Sequence, residues 1–145
     1  MSLKVWVVDD DPSICNMLRI MLSAKGHHVE TYTDPTACPI IKDRDCSRPG
    51  APPCADVLLV DYFMPNMNGL EFLRKVEELG CKVAQGNRAV ITAHYSQELG
   101  SELARMGVAH FKKPFKFPTL DKWLESCCRR ASCSGEPPKP GASPS

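Results

Sequence analysis

Three consecutive aspartates, Asp9, Asp10 and Asp11, close the first hydrophobic run of the chain, Val5-Trp6-Val7-Val8. A second run, Val57-Leu58-Leu59-Val60, closes in Asp61. A third, Ala89-Val90-Ile91, closes in Thr92, and a fourth, Val108-Ala109-His110-Phe111, leads through Lys112 to Lys113-Pro114. Each run is short and apolar and delivers a polar, reactive side chain at its C-terminal end. In an open parallel sheet those ends lie along one edge, where ligands bind. Carboxylates, a hydroxyl and an ammonium gathered there make a site for a divalent cation and a phosphoryl group.

Those side chains meet only if strands and helices alternate, and the pattern between the runs is helical. Asp11 can cap a helix with Pro12 at its first position. Ile14, Met17, Leu18, Met21 and Leu22 then share one helical face, and Lys25-Gly26 is a stop signal. Val29 to Tyr32 reads as a second strand. A third helix carries Leu70, Leu73, Val76 and Leu79 and stops at Gly80. A fourth carries Leu99, Leu103 and Met106 and stops at Gly107. A fifth carries Leu120, Trp123, Leu124 and Cys127. These stripes read as core rather than partner surface. Strands alternating with helices, with continuous apolar strand runs, imply an α/β fold with a parallel sheet covered on both faces.

The second helix is the poorest element. It is expected to start near Pro35, with Pro39 falling within its first turns at a cost of about 3 kcal/mol. The segment after it holds Pro49, Gly50, Pro52 and Pro53, and residues 43–54 read as an exposed loop insertion. From Ser132 the chain runs SCSGEPPKPGASPS, too poor in apolar residues to fold, and is expected to be disordered. The expected organisation is one domain over residues 1–131, followed by a tail or linker over 132–145.

The length of 145 residues suits a single core. With 18 Lys and Arg against 17 Asp and Glu, the charge balance offers no electrostatic case for non-specific nucleic-acid binding. No apolar stretch is long enough to span a membrane. A first strand at about Leu3 leaves no room for a leader, so the expected location is the cytoplasm. The eight cysteines lack paired C-x-x-C spacing and read as reduced thiols, with Cys127, Cys128 and Cys133 as the one cluster able to bind metal or sense oxidants.

The motifs VVDDDP (7–12), LLVDYFMPNMNG (58–69), ITA (91–93) and KKPF (112–115) together resemble the receiver domain of a two-component response regulator. The resemblance runs from about residue 3 to residue 128. Each motif alone is weak; all four in this order, each at a strand end, are specific. The resemblance implies a flavodoxin-like sheet of strand order 2-1-3-4-5. It implies that Asp61 is the phosphoacceptor, with Lys113 neutralising charge on the phosphoryl oxygens and Thr92 donating a hydrogen bond to one of them. It implies Mg2+, with Mn2+ as a substitute, held by Asp10 and Asp61, by Asp9 mainly through water, and by the backbone carbonyl of Phe63. Lys113-Pro114 would be cis. His110 would turn inward on phosphorylation, with readout on the face formed by helix 4, strand 5 and helix 5. Phe63 and His94 would border the path of an attacking water. The implied partners are a histidine kinase or histidine phosphotransfer protein, an unidentified downstream target, and a second copy in a phosphorylation-dependent dimer.

The main rival is an enzyme. Asp9-Asp10-Asp11 also fits the D-x-D pattern of haloacid-dehalogenase-like phosphatases, with Asp9 as nucleophile. Against it, Ser13 stands where Thr or Val is usual, no acidic pair follows the lysine, and Asp61 has no task. A flavin-binding domain would need a loop rich in Gly, Ser and Thr after strand 1, the electrostatic opposite of Asp9-Asp10-Asp11-Pro12. A receiver-like module used only for docking would not need the acidic pair, acceptor, threonine and lysine that are all present.

Overall fold

The computed structural model of the protein describes residues 2–42 and 53–135. Strands β1 (Lys4–Val8), β2 (His28–Tyr32), β3 (Val57–Asp61), β4 (Arg88–Thr92) and β5 (Ala109–Lys112) alternate with helices α1 (Pro12–Ala24), α2 (Pro39–Lys42), α3 (Gly69–Glu78), α4 (Gln97–Arg105) and α5 (Phe117–Gly135). The strands form one parallel sheet of order β2-β1-β3-β4-β5, as expected. The interiors of the central strands are apolar because both faces of the sheet are covered. Alternate residues enter two cores. Trp6, Val8, Leu58, Val60 and Val90 pack with Phe72, Leu73 and Val76 of α3 and Leu99 and Leu103 of α4. Val5, Val7, Leu59, Ala89 and Ile91 pack with Leu18 and Leu22 of α1 and Leu120 and Leu124 of α5. Of the helical stripes expected to be core, Leu18, Leu22, Leu73, Val76, Leu99, Leu103, Leu120, Leu124 and Cys127 are buried, whereas Met17 of α1 is exposed and the flanking members are only partly buried.

Local chemistry sets the helix starts. Asp11 accepts a hydrogen bond from Ser13 N at 2.9 Å and caps α1, with Pro12 at its first position. Asn68 and Glu71 satisfy each other's backbone donors in a capping box that opens α3. Ser96 caps α4 through Leu99 N.

The second helix differs from expectation. Asp34 caps a single 3-10 turn, Pro35–Ala37, and α2 begins at Pro39. Pro39 thus stands at the first helical position, where its missing N–H is not required, and the interior penalty does not arise. Most of the expected insertion, residues 43–52, lies outside the described residues. Helix α5 reaches Gly135, past the expected start of the tail at Ser132, and residues 136–145 also lie outside them. Of the described cysteines, Cys15, Cys38, Cys54, Cys81, Cys127 and Cys128 are in no disulfide. No helix among the described residues is long and apolar enough to cross a membrane.

His27, in the turn between α1 and β2, is a titratable group locked into the fold. It is 4% exposed, and its Nδ1 accepts a hydrogen bond from Leu3 N at 3.1 Å. Burial holds its pKa below the ordinary 6.5, against a smaller opposing pull from the Asp121 carboxylate. The folded state keeps the ring neutral while the unfolded chain protonates near 6.5. This contribution to stability is therefore present above that pH and is lost as pH falls below it. Wild type and His27→Gln should differ in Tm at about pH 7.5 and converge at about pH 5.5. A pH-independent gap in thermal unfolding would rule this linkage out.

Candidate functional site

The C-terminal edge of the sheet is where the polar strand ends converge. Ladder-like bonds continue past the strands and fix the residues that follow. Asp9 N donates to Tyr32 O at 3.0 Å, Tyr62 N to Ile91 O at 2.8 Å and Lys113 N to Thr92 O at 2.7 Å. The Cys15 thiol donates to the Asp9 carbonyl at 3.2 Å and ties the first loop to α1. Gly69 approaches β3 so closely that a Cβ would stand 2.7 Å from the Asp61 carbonyl oxygen. No larger residue fits there without moving the loop after Asp61.

These constraints bring Asp9, Asp10, Asp61 and Lys113 together. One carboxylate oxygen from each aspartate lies within 4.8 Å of the others. Lys113 Nζ is 3.0 Å from Asp61 Oδ1 and 3.3 Å from Asp9 Oδ2, and the Lys113-Pro114 peptide is cis. Asp9 is buried, and its Oδ1 accepts from Asp11 N at 2.9 Å. Asp10 is exposed. Three carboxylates share the site with one ammonium, which pairs with Asp9 and Asp61, so the site carries excess negative charge. Hard oxygen donors at this spacing suit a magnesium-like cation.

The electrostatics follow from burial and from charge crowding. Burial raises the Asp61 pKa from 3.8 to about 6; the neighbouring Asp9 and Asp10 charges add to this, and Lys113 opposes it. Burial also raises Asp9, offset in part by the Asp11 N–H and Lys113. For Lys113, burial pushes the pKa down, but the Asp61 and Asp9 carboxylates outweigh it and the pKa stands above 10.5. The ammonium is therefore a fixed positive charge at neutral pH.

Asp61 and Lys113, with Phe63, Ala93 and His94, line an open cavity of about 500 Å³. Phe63 is half exposed, and its ring meets those of Tyr62 and His94 edge-on at 4.8 and 5.7 Å. The remaining expected residues are placed differently. Thr92 is fully buried, and its hydroxyl is engaged by its own loop: it accepts from His94 N at 3.0 Å and donates to His94 O at 3.2 Å. His110 faces outward from β5 and stacks on Tyr95, with ring centroids 4.9 Å apart. Tyr95 was not singled out by any sequence motif. The only signal was an aromatic residue two positions past the Thr92-Ala93 pair.

The profile of the response regulator receiver domain family matches residues 5–125. FixJ, a transcriptional regulatory protein of Azorhizobium caulinodans, is 30% identical over 118 residues, which are 79% of this chain and 49% of FixJ. Response regulator MprA of Mycobacterium sp. (strain KMS) is 30% identical over 97% of this chain and 56% of its own length. The chain thus spans about half the length of these relatives. The structure of Vibrio cholerae chemotaxis protein CheY4 superposes with a TM-score of 0.69 at 28% identity, covering 88% of this chain and 99% of that one. The profile match includes all four strand ends that build the acidic edge, and the chain belongs to the response regulator receiver domain family.

Proposed function

We propose that the chain accepts a phosphoryl group on Asp61 and relays a two-component signal through changed partner affinity. The observation that carries this reading is the placement of Asp61 on the wall of an open cavity with Lys113 Nζ 3.0 Å from its carboxylate and two further aspartates beside it. Asp9, Asp10 and Asp61, with the Phe63 carbonyl, would hold Mg2+ or Mn2+. Bound there, the ion would offset the repulsion between an anionic nucleophile and an anionic donor. An Asp61 oxygen forms the new bond to phosphorus as the bond to the donor breaks. When the donor is a phosphohistidine, the departing imidazole takes up a proton from solvent. Lys113 moves its charge from the carboxylates toward the phosphoryl oxygens. The Thr92 hydroxyl exchanges its bond to the His94 carbonyl for one donated to a phosphoryl oxygen, and His110 turns from its outward position.

The donor would be a histidine kinase or histidine phosphotransfer protein in the cytoplasm. The output would be a downstream protein, or a second copy, recognising α4, β5 and α5. Residues 1–131 would carry this chemistry, and the expected tail or linker would begin only past the end of α5 at Gly135. The phosphatase alternative is disfavoured because Asp9 is buried, bonded through both oxygens and absent from the cavity wall. Incubation with acetyl phosphate and Mg2+ should add one phosphoryl group, labile to hydroxylamine. Borohydride reduction and peptide mass spectrometry should place it on Asp61. Label on Asp9 would support the phosphatase instead.

A further inference from the structure

We propose that Tyr95 is a positioning residue, a latch that holds the loop carrying Thr92 in its resting position. The inference rests on the reading of Asp61 as phosphoacceptor. Two anchors hold the Tyr95 ring. It stacks on His110 of β5 at 4.9 Å with an interplanar angle of 23°. Its hydroxyl end occupies a notch over Gly100 of α4, where a Cβ would clash with the hydroxyl oxygen and stand 2.7 Å from the ring carbon bearing it. Gly100 lies inside α4, where glycine weakens a helix relative to alanine. The seat for the Tyr95 ring is what the missing side chain provides.

The latch acts through the backbone. Tyr95 directly follows His94, whose N–H and carbonyl both engage the Thr92 hydroxyl. That hydroxyl can donate to a phosphoryl oxygen on Asp61 only by giving up its donated bond to the His94 carbonyl, which frees the 93–95 segment to shift. A ring clamped between β5 and α4 opposes that shift. The same stack opposes inward rotation of His110, because the flat contact with Tyr95 is lost when His110 turns. One side chain thus restrains both residues expected to move. Loosening it should favour the phosphorylated arrangement, since a restraint on the resting state alone is removed.

The test uses the full chain with Mg2+ and beryllofluoride as the phosphoryl mimic, titrated calorimetrically. Tyr95→Ala and Gly100→Ala should each bind about fivefold more tightly than wild type, the scale of one aromatic pair. Tyr95→Phe keeps the ring and should bind within about twofold of wild type. NMR of the His110 ring protons supplies a readout that a general packing defect would not reproduce. Their upfield ring-current shift should be lost in Tyr95→Ala and Gly100→Ala and retained in Tyr95→Phe. Unchanged or weaker binding by Gly100→Ala, with the His110 signal moved, would overturn the latch and leave the phosphoacceptor reading standing. A His110 signal that does not move in Gly100→Ala would overturn it too, since the notch would not be seating the ring. Failure of every protein, wild type included, to bind beryllofluoride would remove the underlying reading and the latch with it. Should Tyr95→Ala unfold, Gly100→Ala carries the test alone, because alanine favours the helix it enters.

Discussion

Asp61→Asn is expected to take up no phosphoryl group from acetyl phosphate under conditions that fully label the wild type. An amide offers no carboxylate oxygen to form the acyl phosphate, and the remaining aspartates are poorly placed to replace it. Asp9 is buried and bonded to both Asp11 N and Lys113, and Asp10 does not line the cavity over Asp61. The same substitution should stabilise the metal-free fold. Burial, and then the Asp9 and Asp10 charges, lift the Asp61 pKa from 3.8 to about 6, so at neutral pH the folded state carries a carboxylate that the unfolded chain holds more easily. Allowing for solvent screening, the gain should be about 1–2 kcal/mol. Magnesium should narrow or reverse that difference, because it binds the folded wild type through the carboxylate that the variant lacks. Urea unfolding of both proteins with and without Mg2+ reads this directly. Labelling of Asp61→Asn would sink the acceptor assignment, and a variant less stable than wild type without metal would sink the electrostatic argument.

The second large effect is remote from the site. Arg88 opens β4 and is 3% exposed. Its Nε and Nη2 donate to Val83 O at 3.2 and 2.7 Å, Nη2 also donates to Cys81 O at 3.3 Å, and Nη1 meets Glu77 Oε1 at 2.7 Å. The guanidinium closes the segment between α3 and β4 by satisfying its carbonyls. Arg88→Ala should leave those acceptors unpaired and remove the packed stem, costing about 3–5 kcal/mol and roughly 10 °C in Tm. Glu77→Ala should cost about 1 kcal/mol or less, because Glu77 is half exposed and the carbonyls still hold the arginine. Denaturant curves of the two variants separate the contributions. An equal loss in both would mean that the ion pair, not the carbonyl contacts, carries the stability.

The acidic edge was legible in the sequence because it depends on chain direction and period. A continuous apolar run reads as a strand buried on both faces, and the residue at its end has to lie on the sheet edge. Asp61 and Thr92 end β3 and β4, Asp9 follows β1, and Lys113 follows β5. The Asp11 cap and Pro12 were legible for the same local reason, since capping involves neighbours in the chain. The start of α2 was not. A proline is tolerated or costly depending on whether it stands at the first helical position or a turn later, and the 3-10 turn that settles this at Pro39 leaves no periodic trace. Nor did the pattern show that Arg88 is buried, that the Thr92 hydroxyl is turned onto its own loop, or that His110 stacks outward on Tyr95. Periodicity specifies which face of an element is apolar. Which polar atom meets which depends on register and packing between elements far apart in the chain, and only the assembled tertiary structure decides it.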